Sequence, residues 1–334
     1  MEVCSLNIDE LARLCGVSKK TVSRVINNEQ HVSEPTRQRV LAAIREHRYR
    51  PSVFARNLGR KVDNTILVSV RRTRAFANAN TIWVDQLLTE VIDKAQQSGF
   101  RVLIESYYDQ FDANHSAMTE GGLVDAVVAF YEEPDDPRIR LCKDFGIPVI
   151  VFGVSMNGVS YVSNANITAM IQAYDYLFSR GLTKSCLLLG DRFGTNLDRA
   201  TGAHAAYRKH GIDPQLLTME WSRNSPVQVK TYVETVIEQG ELPDVFFVSG
   251  DQKALGVYGA LYDHGLRIPD DVSLIGFDDI SISQFLAPPL TTVAQDFAGL
   301  AEALIASALQ LMDDDTALRA VEVPTRLVVR ASTR

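Results

Sequence analysis

Apolar residues near the start of the chain recur at helical spacing. Ile8, Leu11, Ala12 and Cys15 stand at i, i+3, i+4 and i+7, one face of a short helix. Gly16 follows, where a chain leaving a helix often needs positive φ. Val17 fills the angle, and Ser18 suits the N-cap of a second helix with Val22, Val25 and Ile26 inward. A third helix is predicted from Ser33, with Pro35 in its first turn and Val40 and Ile44 buried. Helix, glycine-containing turn, helix is the helix-turn-helix pattern.

A shorter apolar face, Val53, Phe54, Ala55 and Leu58, follows Pro51 and ends at Gly59. About two turns of helix are too few to be stable alone. Such a segment should order only when something buries it. After Lys61 the pattern changes to short apolar runs at Ile66–Val70, Val102–Ile104, Ala126–Phe130 and Val149–Phe152. Amphipathic stretches separate them, such as Val84, Leu87, Leu88, Val91 and Ala95. The alternation repeats after residue 165, at Ser185–Leu189, Leu216–Trp221, Val245–Val248 and Val272–Gly276. Near-continuous apolar strands alternating with helices indicate parallel sheets covered on both faces. Two such halves give two doubly wound lobes, with the ligand place in the cleft facing the strand C-termini.

Charge sharpens this division. Residues 1–61 hold 12 Lys and Arg against 6 Asp and Glu, whereas the rest hold 22 against 35. A basic head on an acidic body implies that only the head meets a polyanion. In a helix-turn-helix the second helix enters the major groove, its N-terminal side chains at base edges. Here those are Lys19, Lys20, Ser23 and Arg24, and Lys and Arg suit the O6 and N7 acceptors of guanine. Asn27, His31, Ser33 and Thr36 stand near helix ends, where they can hold phosphates; Ile8 and Ser18 belong to the same DNA-facing set. A three-helix protein-interaction module with solvated lysines is the alternative reading of this head.

The run Ile8-Asp-Glu-Leu-Ala…Gly16-Val-Ser-Lys-Lys-Thr-Val-Ser-Arg-Val-Ile-Asn27 resembles the head of the lactose-repressor/galactose-repressor family. So do His31-Val-Ser33, Thr36-Arg37 and Tyr49-Arg-Pro51, and the resemblance extends over essentially the whole chain. It implies a small all-α helix-turn-helix head and an α/β body of two doubly wound parallel-sheet lobes, periplasmic-binding-protein-like. The expected division is a DNA-binding domain over 1–50, a hinge helix over 51–62 and an effector-binding and dimerisation domain over 63–334. Lobe 1 would take about 63–164 and 293–321, and lobe 2 about 165–292 and 322–334. In the family, two hinge helices pair on DNA and push a leucine into the minor groove, and Leu58 occupies that place. Arg334 comes without a heptad-bearing tail, so a homodimer on a two-fold operator is the expected assembly.

The same resemblance implies the effector contacts. Arg199, in Leu197-Asp-Arg-Ala-Thr-Gly202, resembles the family's effector-binding arginine, and Asp278 matches a cleft aspartate at a strand end. Trp221 would stack on a sugar face, Asp251 and Gln295 match other cleft positions, and Trp83 stands where the family often has a cleft aromatic. Structural roles compete for each: a lobe ion pair for Arg199 and Asp278, a core aromatic position for Trp221. The chain departs from lactose-repressor members at Gly153 and Gly250, where they carry an aspartate and an asparagine. Arg71, with Arg72 and Arg74, would face an anionic ligand such as a sugar acid or sugar phosphate, or lie on the surface.

The expected function is therefore a sequence-specific transcriptional repressor, bound to double-stranded operator DNA and released by a sugar-like inducer. A purine-like corepressor on the same architecture is the alternative. A solute-binding protein would share the body, but the basic head and the lack of a secretory signal count against it. Enzyme motifs such as GxGxxG after a strand, GxxxxGK[ST], GxSxG and HExxH are missing, so no catalytic residues and no cofactor are expected. Cys4, Cys15, Cys142 and Cys186 form no CxxC pair, so no metal is expected and Cys15 and Cys186 read as small buried hydrophobes. No run approaches the roughly 18 apolar residues of a membrane span. A cytoplasmic location is the expectation.

Overall fold

The computed structural model describes residues 8–26, 32–46, 64–72, 82–108, 119, 123–313 and 318–334. It divides into two units, residues 1–63 and 64–334. The hinge at 51–62, Asn27, His31 and Leu58 lie outside the described residues, as do the side chains of Ile8, Ile26 and Ile44.

In the first unit, α1 (Ile8–Cys15), α2 (Lys19–Ile26) and α3 (Glu34–Glu46) surround one small core. Leu11, Ala12, Cys15, Val22, Val25 and Val40 close it. The turn is fixed by backbone chemistry. Gly16 takes φ +60°, Val17 N–H donates to Ala12 O (3.0 Å) and Gly16 N–H to Arg13 O (3.1 Å). That paired closure satisfies the last carbonyls of α1 and needs a left-handed residue at Gly16. Ser18 Oγ then accepts from Thr21 N–H (3.1 Å), capping α2.

The second unit contains two six-stranded sheets. The first holds β1 (Thr65–Arg72), β2 (Arg101–Tyr108), β3 (Ala126–Phe130), β4 (Val149–Phe152), β5 (Ser160–Asn164) and β11 (Ala320–Val323), in the order β11-β5-β4-β3-β1-β2, all parallel. The second holds β6 (Ser185–Leu188), β7 (Leu217–Glu220), β8 (Val245–Val248), β9 (Ser273–Asp278), β10 (Thr291–Ala294) and β12 (Arg326–Val328), in the order β12-β10-β9-β8-β6-β7. Only β12 runs antiparallel there. Discounting β11 and β12, both lobes repeat one strand order, with the topological switch beside their first strand. The expectation of two doubly wound lobes is what the sheets show.

Alternation within each strand explains the covering helices. Ile66, Val68 and Val70 of β1 turn to α4 (Ile82–Gln97) and α10 (Phe297–Asp313), while Leu67 turns to α5 (Pro137–Phe145). In lobe 2, Leu187, Phe247 and Phe277 pack under α6 (Asn166–Ser179) and α7 (Thr195–His210). Leu188, Phe246 and Val248 pack under α8 (Pro226–Glu238) and α9 (Asp251–Asp263). Strands buried on both faces must be apolar at every position, so runs such as Val245–Val248 lack any polar phase. Three chain crossings join the lobes: β5 to α6, β10 to α10, and β11 to β12.

Candidate functional site

The crossings place strand ends and helix starts around one cavity of about 190 Å³ between the lobes. Lobe 1 gives it an aromatic wall. Trp83, at the start of α4, meets Tyr131 edge-on (5.8 Å) and Phe152 tilted (5.4 Å). Such a wall offers faces to the C–H surface of a ring. Lobe 2 gives a polar floor of Asp191, Asn196, Arg199, Asn224, Ser249, Lys253 and Asp278.

Arg199 is the best-held group. Its Nε donates to Asn166 Oδ1 (3.0 Å), its Nη1 to Ser249 Oγ (2.6 Å), and its guanidinium lies 3.6 Å from the Phe277 ring centre. Burial draws it down to about 10, which leaves it charged at neutral pH. Its position depends on a close approach of α7 to α6. A Cβ at Gly202, one turn along α7, would stand 2.6 Å from Ile167 O and 2.7 Å from Met170 Cβ. Gly202→Ala is expected to cost about 1–3 kcal/mol of stability by overpacking, read as a lower urea midpoint; a midpoint matching wild type would show that α7 can back away freely.

Asp278 ends β9 at φ +118°, buried. Its Oδ1 accepts from Gln295 Nε2 (2.6 Å), and Gln295 Oε1 accepts from Asn164 Nδ2 (2.7 Å). This relay runs from lobe 2, through the β10–α10 crossing, to the end of β5 in lobe 1. Asn164 Oδ1 is buried in the cavity wall without a hydrogen-bond partner. Lys253 is 3% exposed and also borders the cavity. Burial and Arg199 pull its ammonium down to about 7, against Asp278 and Asp191.

Five of the sequence candidates therefore meet here: Arg199, Asp278, Gln295, Trp83 and Arg71. Arg71 is committed to Glu133 by an ion pair of 2.5 Å. Arg74, the loop beyond it and the side chain of Arg72 lie outside the described residues. Two candidates do not line the cavity. Asp251 is fully buried behind β9 and β10, where Thr292 Oγ1 (2.6 Å), Ser283 Oγ (2.6 Å) and Ile280 N–H (3.2 Å) donate to it. Burial and Asp278 push its carboxyl well above the usual range. It stitches α9 to the sheet, and a Cβ at Gly276 would lie 2.0 Å from its Oδ1. Trp221 instead follows β7, packs against the lobe-2 core and lies under Arg192 (5.4 Å). Gly153 does border the cavity, but Gly250 instead precedes α9.

Sequence reasoning missed Lys253, Asn164, Asn196 and Asn224. Lys253 stands two residues after Asp251 in the polar opening Asp251-Gln252-Lys253 of α9, so nothing in the sequence set it apart from its polar neighbours. In the head, Lys19, Lys20 and Ser18 are exposed around the start of α2, and Ser23 and Arg24 are half-buried. Ser33 and Thr36 meet at the start of α3, Ser33 Oγ donating to Thr36 Oγ1 (2.9 Å).

A helix-turn-helix unit joined to a two-lobed, ligand-cleft body defines a ligand-responsive DNA-binding regulator. Residues 7–52 match the lacI family of bacterial regulatory proteins, and residues 174–333 match a periplasmic binding protein-like domain. The chain is 28% identical over 320 residues to the HTH-type transcriptional regulator AscG of Escherichia coli (strain K12), covering 91% of each. It is 27% identical to the HTH-type transcriptional repressor PurR of Mannheimia succiniciproducens, covering 98% of each. The structure aligns with a lac repressor dimer bound to operator and the anti-inducer ONPF at a TM-score of 0.80, with 25% identity over 98% of this chain and 99% of that one. The chain carries a lacI-family head and a periplasmic binding protein-like body, and it is a DNA-binding transcriptional regulator. No helix among the described residues is long and apolar enough to cross a membrane.

Proposed function

We propose that the protein is a cytoplasmic, homodimeric repressor whose hold on operator DNA is set by a small hydroxylated effector in the inter-lobe cavity. The observation that carries this reading is the Asn164–Gln295–Asp278 relay. It spans both lobes at the wall of the cavity, so a ligand bound there touches the groups that fix one lobe against the other. A ligand that binds one lobe arrangement better than another shifts the population toward it. The protein works by binding and not by catalysis. The two-fold assembly follows the dimer of the matched lac repressor structure.

The direct test selects operator sequences from random duplexes with the full-length protein and then footprints the best one. A palindromic footprint, weakened by a cavity ligand, is expected. Uniform binding to all sequences, or none, would remove the repressor reading. Within the head, Lys20 is assigned to a base edge. Lys20→Ala should lower discrimination at one base pair of each half-site by about 1–3 kcal/mol. If the variant weakens all sequences equally, Lys20 holds a phosphate instead.

A further inference from the structure

Lys253 is the cavity residue that a neutral effector leaves unexplained. It stands in the first turn of α9 and is almost wholly buried. Its ammonium has no hydrogen-bond or ion-pair partner among the described residues. A nearly buried ammonium that holds no hydrogen-bonded anion is unfavourable even with Asp278 and Asp191 in its field, so such a group is retained where something arrives to complete it. Across the same cavity, Asn164 Oδ1 is a second unfinished group, a buried acceptor lacking a donor. The ammonium lacks a hydrogen-bonded anion, and the amide oxygen lacks a donor such as a hydroxyl.

The surrounding charges narrow the class. From α7 comes Arg199, already holding Asn166 and Ser249. From the end of β9 comes Asp278, and from the loop after β6 comes Asp191, which accepts from Asn224 Nδ2 (3.0 Å). On α9 itself, Asp251 is turned to Ser283 and Thr292. From lobe 1 come Glu132, whose oxygens accept from Ser155, Met156 and Asn157, and Arg71, paired with Glu133. Two carboxylates facing the lysine would repel a dianion, while one lone ammonium beside an arginine suits a single negative charge. Resting on the reading of this cavity as the effector site, we propose that the effector is a small hydroxylated monocarboxylate of the sugar-acid class. Its carboxylate closes on Lys253, and one of its hydroxyls donates to Asn164 Oδ1.

This pairing links binding to a proton. The free lysine is held at about 7, and a bound carboxylate favours its charged form. Above pH 7 the effector therefore binds together with a proton. Affinity falls as pH rises, approaching about tenfold per unit while the linkage is full. The ligand-free protein shows the opposite slope. The unfolded lysine keeps its ordinary value of 10.5, so the unfolded chain binds more protons between 7 and 10.5, and this residue's contribution to stability rises with pH across that window.

The test uses full-length protein and titration calorimetry. The probes are D-gluconate, D-galactonate, D-glucuronate and D-galacturonate against D-glucose and D-galactose. D-glucose 6-phosphate and guanine serve as a dianion and a purine. At least one acid should bind about 30-fold more tightly than its parent aldose, the size of a hydrogen-bonded charge contact. Its heat at pH 8 should vary with the ionisation enthalpy of the buffer, reporting proton uptake. Lys253→Met should remove that margin and the pH slope. Lys253→Arg should keep the preference without the slope between pH 6.5 and 8.5. The melting temperature of ligand-free wild type should gain on that of Lys253→Met from pH 7 to 9. Acid binding that survives in Lys253→Met, or binding only of the phosphate, the purine or none of the acids, overturns the inference. If an aldose binds, is lost in Asp278→Asn and persists in Lys253→Met, the cavity remains the effector site and the acid inference alone fails.

Discussion

Arg199→Ala should reduce effector affinity about 10- to 150-fold, or about 1.5–3 kcal/mol, the range for losing a charged hydrogen-bond donor from a buried site. The guanidinium is oriented before any ligand arrives. Asn166 and Ser249 hold two of its nitrogens, and Phe277 supports its face. A donor fixed in this way loses little side-chain entropy on binding. The substitution also leaves Asn166 Oδ1 without its donor and opens a void beside Phe277, so some stability is lost as well. The two effects separate by measurement. Stability loss lowers the melting temperature of the ligand-free protein, whereas loss of contact abolishes the further rise that saturating ligand produces. Arg199→Lys keeps the charge but not the fork, and should recover only part of the affinity. A full ligand-induced rise in Arg199→Ala would place the effector elsewhere.

Much of this architecture was legible because it rests on periodicity. The head announces itself through the 3, 4, 7 spacing of Leu11, Ala12 and Cys15 and the left-handed demand at Gly16. The central strands announce themselves because burial on both faces forbids polar residues in Val245–Val248. Strands away from the sheet centres carry no such mark. β5 reads Ser-Tyr-Val-Ser-Asn and β12 reads Arg-Leu-Val, and both are strands because neighbouring strands offer them partners. The site divides in the same way. Arg199 and Asp278 sit in motifs with a recognisable shape. Asn164 matters only because β5 ends opposite Gln295, 131 residues later in the chain. Asp251 stands two residues before Lys253 in the first turn of α9 but faces away from the cavity, because a helix turns about 100° per residue and sends positions two apart to opposite sides. Sequence order cannot assign those sides before the helix is docked on its sheet.

The largest stability loss should come from a residue that no motif marked. Arg138→Met is expected to cost about 3–5 kcal/mol, the range for leaving one member of a buried ion pair behind. Arg138, on α5, is buried, and its Nη2 lies 2.7 Å from Asp136 Oδ2. Its Nη1 donates to Ser69 O (2.8 Å) and Phe130 O (3.1 Å), and its Nη2 reaches Tyr131 O (3.4 Å). One side chain thus ties β1 to the end of β3, where the cavity's Tyr131 begins. Asp136 is also the N-cap of α5, accepting from the backbone N–H of Arg138 (3.0 Å), so its charge cannot simply leave. Methionine fills the volume but offers no donor, and Asp136 is left buried with only the backbone N–H groups of Arg138 and Glu133 (3.3 Å) donating to it. Urea unfolding should show the loss directly. Adding Asp136→Asn should return part of it, because the amide caps the helix without a buried charge. If the single variant costs less than about 1 kcal/mol, water reaches Asp136 and the clamp is not what holds this end of lobe 1.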